Sequence, residues 1–215
     1  MEQLDTRTRL LDVAEELFAE KGIGSTSLRK IIAEAGANLA SIHYHFGSKE
    51  ALAWEVFARR IKPVNAERLQ RLDRIEERSG ETPPNLEELI RAFIEPAIRI
   101  KFDEPERTKL ILRLVAQLQS DSGNLGDHFV DLFEEVATRF IAAFQAALSQ
   151  HSHAELYWRF KFMLGVMHMI MAQPPVQESK IFSPPELDLE SILAHVIPFL
   201  VAGFKTPTLN VLKQE

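Results

Sequence analysis

Apolar residues recur at three- and four-residue spacing along almost the whole chain, with no sustained alternation, so nearly every periodic segment predicts a helix. Leu10, Leu11, Ala14, Leu17 and Phe18 form one face of a first helix that stops at Lys21-Gly22 with a glycine cap. Thr26 or Ser27 is placed to cap a short second helix, Leu28 to Ala35, which ends at Gly36. Asn38 to His45 fits a third, broken by Gly47-Ser48. Ser48 then caps a fourth helix from Lys49 onward, with Glu50 in the first turn favouring the positive helix end. Pro63 is expected to kink this helix rather than end it, because Leu69, Leu72 and Ile75 keep the helical spacing to about Arg78. After a loop at Ser79-Gly80-Glu81-Thr82-Pro83-Pro84-Asn85, helices are predicted near 86–102, 106–120, 126–149, 153–172 and 186–203. The fold class expected is all-α: a three-helix head (1–48), a connecting helix (49–78), a larger helical bundle (79–205) and a tail (206–215).

Two helices of about eight residues joined by Gly36-Ala37 are too short to be stable alone and need the first helix as a platform, which is the layout of a helix-turn-helix. Ile31, Ile32, Ala35, Leu39, Ile42 and Phe46 supply the expected shared core. Asn38, Ala40, Ser41, His43, Tyr44 and His45 are left on the outer or end positions of the third helix. Such small, amide, hydroxyl and imidazole groups suit base edges and phosphates in a major groove. On pattern alone, an ordinary solvated helix pair remains the alternative.

Charge distribution keeps the groove reading open. The chain of 215 residues is 46% hydrophobic and 26% charged, with net charge -6, which by itself speaks against a nucleic-acid partner. Residues 1–62, however, carry nine basic and nine acidic side chains, so the whole excess lies beyond them. The 46% share is enough for a buried core. Cysteine is absent, which removes disulfide scaffolds, thiol nucleophiles and cysteine metal sites. No run reaches the roughly 20 apolar residues of a membrane span, and Met1-Glu2-Gln3-Leu4-Asp5 is no secretory signal, so a cytoplasmic protein without membrane partners is expected.

Three stretches carry a resemblance. Ala14-Glu15-Glu16-Leu17-Phe18-Ala19-Glu20-Lys21-Gly22, Thr26-Ser27-Leu28-Arg29-Lys30-Ile31-Ile32-Ala33-Glu34-Ala35-Gly36 and Ser41-Ile42-His43-Tyr44-His45-Phe46-Gly47-Ser48-Lys49-Glu50-Ala51-Leu52 resemble the tetracycline-repressor (TetR) family over roughly residues 6–60. The resemblance implies a homodimeric regulator that binds a double-stranded DNA operator, usually as a repressor, and is released by a small ligand. Carried over by position, it implies that Thr26 and Ser27 bond phosphates, Arg29 reaches a base or phosphate, and Asn38, Ala40, Ser41 and His43 face bases. Tyr44 and His45 would touch the DNA backbone, and Lys49 would clamp a phosphate. His43 stands where many relatives carry tyrosine or tryptophan, so the preferred base is left open. So short a helix reads few base pairs, so two copies on half-sites about 34 Å apart are the simplest geometry.

In the bundle, Glu155 to Met171 and Leu187 to Leu200 are apolar nearly all round and must be covered on every side. Two such helices per chain suit a four-helix dimer interface through Trp158, Phe162, Leu193, Val196, Ile197 and Leu200, as the family resemblance also implies. Arg159, Lys161 and Glu190 would lie at its rim or pair across it, and Gly165 would permit close helix approach. Met163, Met167 and Met171 form a stripe at four-residue spacing that suits plain core or an adaptable pocket. Residues 154–165 and 198–203, with Leu112-Arg113-Leu114 more loosely, resemble the PsrA-like branch, which implies a long-chain fatty acid or acyl-CoA effector. Arg113, set among Leu110, Ile111, Leu112, Leu114 and Val115, needs a carboxylate partner or an anionic headgroup. Phe102, Phe160, Phe162 and His168 are further candidate ligand contacts, with core packing as the other reading of each.

Other chemistries find less support. The pairs His43/His45 and His151/His153 invite a metal, but no cysteine assists either; residues two apart on a helix, as His43 and His45 are, point about 200° away from each other, and His151 and His153, in a loop with free geometry, have no evident carboxylate cluster nearby. There is no Gly-x-Ser-x-Gly elbow and no phosphate-cradling glycine loop, so neither catalysis nor a cofactor is expected. The alternatives are a related regulator of another apolar ligand class, such as xenobiotic or efflux control, an acyl-ligand carrier without DNA binding, and a helical enzyme.

Overall fold

A computed structural model describes residues 5–105, 108–112, 115, 125–172 and 188–207. Every regular element among them is helical. In chain order these are α1 (Thr6–Lys21), α2 (Leu28–Ala35), α3 (Leu39–His45), α4 (Lys49–Ser79), α5 (Leu86–Asp103), α6 (described over 108–112), α7 (Leu125–Ala147), α8 (His153–Ala172) and α9 (Leu189–Lys205). Pro63 lies within α4 without ending it. Two compact units form, one from Met1–Asn65 and Glu104–Glu134, the other from Ala66–Asp103 and Glu135–Glu215.

In the first unit α1, α2 and α3 pack on one another. Leu10, Ala14, Leu17 and Phe18 of α1 meet Ile31, Ala35, Ile42 and Phe46, all buried. α2 contributes the i, i+4 pair Ile31 and Ala35 to this interior, and α3 contributes Ile42, with Phe46 at its C-cap, because two turns present one inward stripe. Ile32 is therefore only half-buried, and Leu39 is 53% exposed, which corrects its expected place in the core. The caps are side-chain caps: Ser27 Oγ accepts from Lys30 N at 3.3 Å, Asn38 Oδ1 from Ser41 N at 2.8 Å, and Ser48 Oγ from Ala51 N at 3.0 Å. Gly36, between α2 and α3, has φ 59°, a left-handed conformation that glycine adopts without a side-chain clash. α4 is held to α1 by ion pairs. Glu15, buried, takes Arg60 Nε at 2.6 Å and also Arg59, while Arg59 reaches Asp12 at 2.6 Å.

The second unit packs α5 on α8 and α9, and α8 on α9. Its core is aromatic: Phe93 lies edge-on to Phe140 and Phe160, each at 5.0 Å between ring centres, and Phe144 is 4.9 Å from Phe204. Leu72, Leu89, Ile90, Met163, Leu193 and Ile197 fill the space around them. Arg71 and Arg99 bracket Glu95, each at 2.8 Å, and both also pair with Glu67. No helix among the described residues is long and apolar enough to cross a membrane.

Candidate nucleic-acid interface and effector core

The head presents one exposed face of mixed polar and apolar side chains around α3. Leu39, Ala40, His43 and Tyr44 are exposed at i, i+1, i+4 and i+5, with Tyr44 at 86%, while Ile42 points inward. The Tyr44 ring stands edge-on to His45 at 5.0 Å. The His43 Nδ1 lies 3.1 Å from the Gly47 carbonyl oxygen. Asn38 is the cap of α3, so its Oδ1 is committed to the Ser41 N–H and, at 3.1 Å, to the Ser41 hydroxyl; the residue is exposed, and its NH2 group is a donor. Beside α3, Ser27 and Arg29 are exposed, and Lys49 is half-buried with its ammonium donating to the Gly24 carbonyl at 3.3 Å.

Thr26 departs from its expected place on this surface. It is 1% exposed, and its hydroxyl donates to the Gly22 carbonyl at 2.8 Å, with the Leu17 carbonyl at 3.2 Å. It ties the α1–α2 turn together, so of the two candidate caps Ser27 carries that role and faces solvent. Leu39, by contrast, was assigned to the core and lies on the exposed face.

In the second unit the expected contacts separate into core and surface. Phe160 and Met163 are buried core residues, Met163 fully. Met167 is half-buried, whereas His168 is exposed and so is not a core histidine; Phe102 is exposed on the last turn of α5. Arg113 lies outside the described residues. Two open recesses, of about 370 and 450 Å³, border α4, one beside α7 and one beside α5. None of the expected ligand contacts among the described residues lines either.

Sequence reading missed the buried cation of this unit. Arg68 is 3% exposed; its Nε donates to the Phe93 carbonyl at 2.7 Å, a terminal nitrogen reaches the Met167 sulfur at 3.4 Å, and the guanidinium sits 4.1 Å from the Phe93 ring centre. Burial pushes its pKa down to about 9.

The over-apolar helices α8 and α9 divide differently from the expected interface. Leu193, Val196, Ile197 and Leu200 are buried within the chain's own core and are not free for a partner. Trp158 and Phe162 are exposed at 58% and 65%, joined by Tyr157, Met169 and, on α9, Phe199 at 68%. Arg159 caps the end of α9, donating to the Gly203 carbonyl and to those of Phe204 at 3.2 Å and Thr206 at 2.7 Å. Glu190 pairs within the chain with Arg91 at 3.5 Å. A Cβ at Gly165 would meet no atom within 4 Å, so this glycine mediates no close approach inside the chain.

A three-helix head that packs α1 and α2 behind a short third helix with an exposed outer face defines a helix-turn-helix protein. Comparison with known proteins makes the class specific. Residues 10–56 match the family model described as bacterial regulatory proteins, tetR family, and residues 91–203, just over half the chain, match the tetracyclin repressor-like C-terminal domain. The chain belongs to the tetR family.

Among similar proteins, the transcriptional repressor KstR2 of Rhodococcus jostii is 46% identical over 50 residues, 23% of this chain and 24% of that protein. The regulator AcrR of Shigella flexneri is 41% identical over 56 residues, 26% of each. The matched segments thus span about a quarter of the length of these relatives. Solved structures agree in fold over nearly the whole chain. FadR of Bacillus subtilis, in complex with stearoyl-CoA, has TM-score 0.62 at 16% identity, covering 91% of this chain and 98% of that one. KstR2 of Mycobacterium tuberculosis has TM-score 0.58 at 16% identity, covering 94% and 96%.

Proposed function

We propose that the protein is a cytoplasmic, homodimeric transcriptional repressor that holds a palindromic DNA operator and releases it when a small apolar or amphipathic effector enters the second unit. The observation that carries this reading is the exposed face of α3 on a head that matches the tetR family model. Ala40, Ser41, His43 and the amide of Asn38 would meet base edges. Ser27, Arg29, Tyr44, His45 and Lys49 would hold the phosphate backbone on either side. Lys49 would exchange its Gly24 carbonyl contact for a phosphate, a stronger charge-assisted partner.

Dimerisation is supported by the exposed Trp158, Phe162, Met169 and Phe199 on α8 and α9, side chains of the kind that anchor protein interfaces. An acyl effector is supported by a cation buried in the second unit. Arg68 beside Met167 and Phe93 suits the anionic end of an amphipathic molecule, and methionines adapt to its chain. The likeness in fold to an acyl-CoA-bound regulator is compatible with this class. Ligand shifts DNA affinity only by its differential affinity for two arrangements of the dimer, a coupling of about 1–3 kcal/mol, with the continuous α4 as the connecting element.

Selection of bound duplexes from a random DNA pool, with and without a long-chain acyl-CoA, tests the reading. An enriched palindrome that disappears with the acyl-CoA is the expected result. A palindrome indifferent to it discards that effector class and keeps the regulator. Absence of any enrichment overturns the DNA-binding assignment of the head.

A further inference from the structure

The outward face of α3 combines an apolar contact with an imidazole in a fixed tautomer. Leu39 is 53% exposed because Ile42 and Phe46 already fill the inward positions, and Ala40 adjoins it on the same surface. Four residues on, His43 is exposed with its Nδ1 3.1 Å from the Gly47 carbonyl oxygen. A carbonyl oxygen only accepts, so Nδ1 carries the proton, and Nε2 of the neutral ring is left as an acceptor.

A major groove supplies one apolar group, the 5-methyl of thymine, and two donors, the exocyclic amino groups of adenine and cytosine; the guanine edge there offers only acceptors. We propose that Leu39, with Ala40, is a specificity-determining residue that covers a thymine methyl group, and that His43 Nε2 accepts from an adenine or cytosine amino group nearby. The four-residue separation is about 6 Å along the helix, roughly two base-pair steps, so the two side chains read pairs about two steps apart. This rests on the proposed placement of α3 against bases. It adds which groups those bases present.

The test uses the full chain and a duplex enriched from the random pool. Each thymine of a half-site is replaced in turn by deoxyuridine, which lacks only the methyl group, and affinity is measured at one salt concentration for the parent and for Leu39→Ala. One position per half-site should weaken the parent about fourfold, the worth of one buried methyl group. Leu39→Ala, already weaker on thymine, should no longer distinguish the two bases there. In a second selection, His43→Arg, a donor only, should move the enriched base from adenine or cytosine to guanine. Helicity equal to the parent's, with affinity for unrelated DNA equal in Leu39→Ala and no lower in His43→Arg, which adds a cation, would show that both variants fold. Indifference of the parent to every methyl group, or the same fourfold loss in Leu39→Ala, overturns the inference and leaves the proposed function standing. If the parent enriches no duplex, the base-reading role of α3 fails and this inference falls with it.

Discussion

Replacing Glu15 with glutamine should cost the first unit about 2 kcal/mol and flatten its acid sensitivity. Oε1 accepts from Arg60 Nε at 2.6 Å and Oε2 from Arg59. Hydrogen bonds to charged groups contribute about 1.5–3 kcal/mol each, so the pair supplies about 3–6 kcal/mol against the desolvation of a carboxylate that is 7% exposed. Both arginines are more than a quarter exposed and rehydrate when released, and Arg59 keeps Asp12, which brings the loss to about 2 kcal/mol.

Burial alone would raise the Glu15 pKa; the hydrogen bonds from Arg60 and Arg59, with their charges, outweigh it and hold the carboxyl below its ordinary value. The unfolded chain therefore binds more protons in that range. The stabilisation is complete above the unfolded value of about 4.3 and is lost as pH falls through the lower folded value. The chain has two tryptophans, Trp54 in the first unit and Trp158 in the second, so a Trp158→Phe background isolates the first unit's fluorescence. Urea unfolding at one protein concentration should show the parent losing stability below about pH 4.3 while Glu15→Gln changes less. A difference under about 0.5 kcal/mol at pH 7.5, or parallel pH curves for the two proteins, would refute the role given to this carboxylate.

Further outcomes follow from the same structure. Phe162→Ser with Phe199→Ser should turn the dimer monomeric in sedimentation, since exposed aromatic anchors contribute about 2 kcal/mol or more each at an interface; an unchanged dimer at low micromolar concentration would remove α8 and α9 from it. Phe204→Ala, which empties the site against Phe144, should lower denaturant stability by about 3–5 kcal/mol, and a loss below about 1 would mean the core relaxes around it. Thr26→Val should cost about 1–2 kcal/mol of stability and leave the salt dependence of DNA binding unchanged; a shallower salt slope would put Thr26 back among the phosphate contacts. Arg68→Met, close in volume, should fold and bind DNA yet no longer release it with acyl-CoA in a mobility-shift titration, and release at the parental concentration would exclude Arg68 from the effector site.

Much of the head was legible because its signals are local. Apolar spacing located α1 to α4, hydroxyl residues ahead of α2 and α4 marked their caps, and Gly36 marked a turn that needs a positive φ, whereas Asn38, expected inside the third helix, is its cap. What local reasoning misplaced were choices between nearby residues. Of Thr26 and Ser27 one turns inward, and of Leu39 and Ile42, both expected in the core, one stays out; each pair is near-equivalent in spacing, and the platform of α1 selects.

The second unit was less legible for a related reason. α8 and α9 are apolar on every side, so periodicity could not name an inward face, and Leu193, Val196, Ile197 and Leu200, expected at an interface, are buried in the chain's own core. Arg68 resembles its neighbours Arg71, Arg74 and Arg78 in sequence, yet it alone of the four is buried, under the Phe93 ring.

Helical class, helix ends and family membership were thus determined by the sequence itself, because period, caps and motif depend on residues a few places apart. Which side of an all-apolar helix is buried, which arginine loses its water and which leucine is left for a partner were decided only by the tertiary structure. Those outcomes depend on competition among distant surfaces for the same apolar contacts, a quantity no short window of sequence contains.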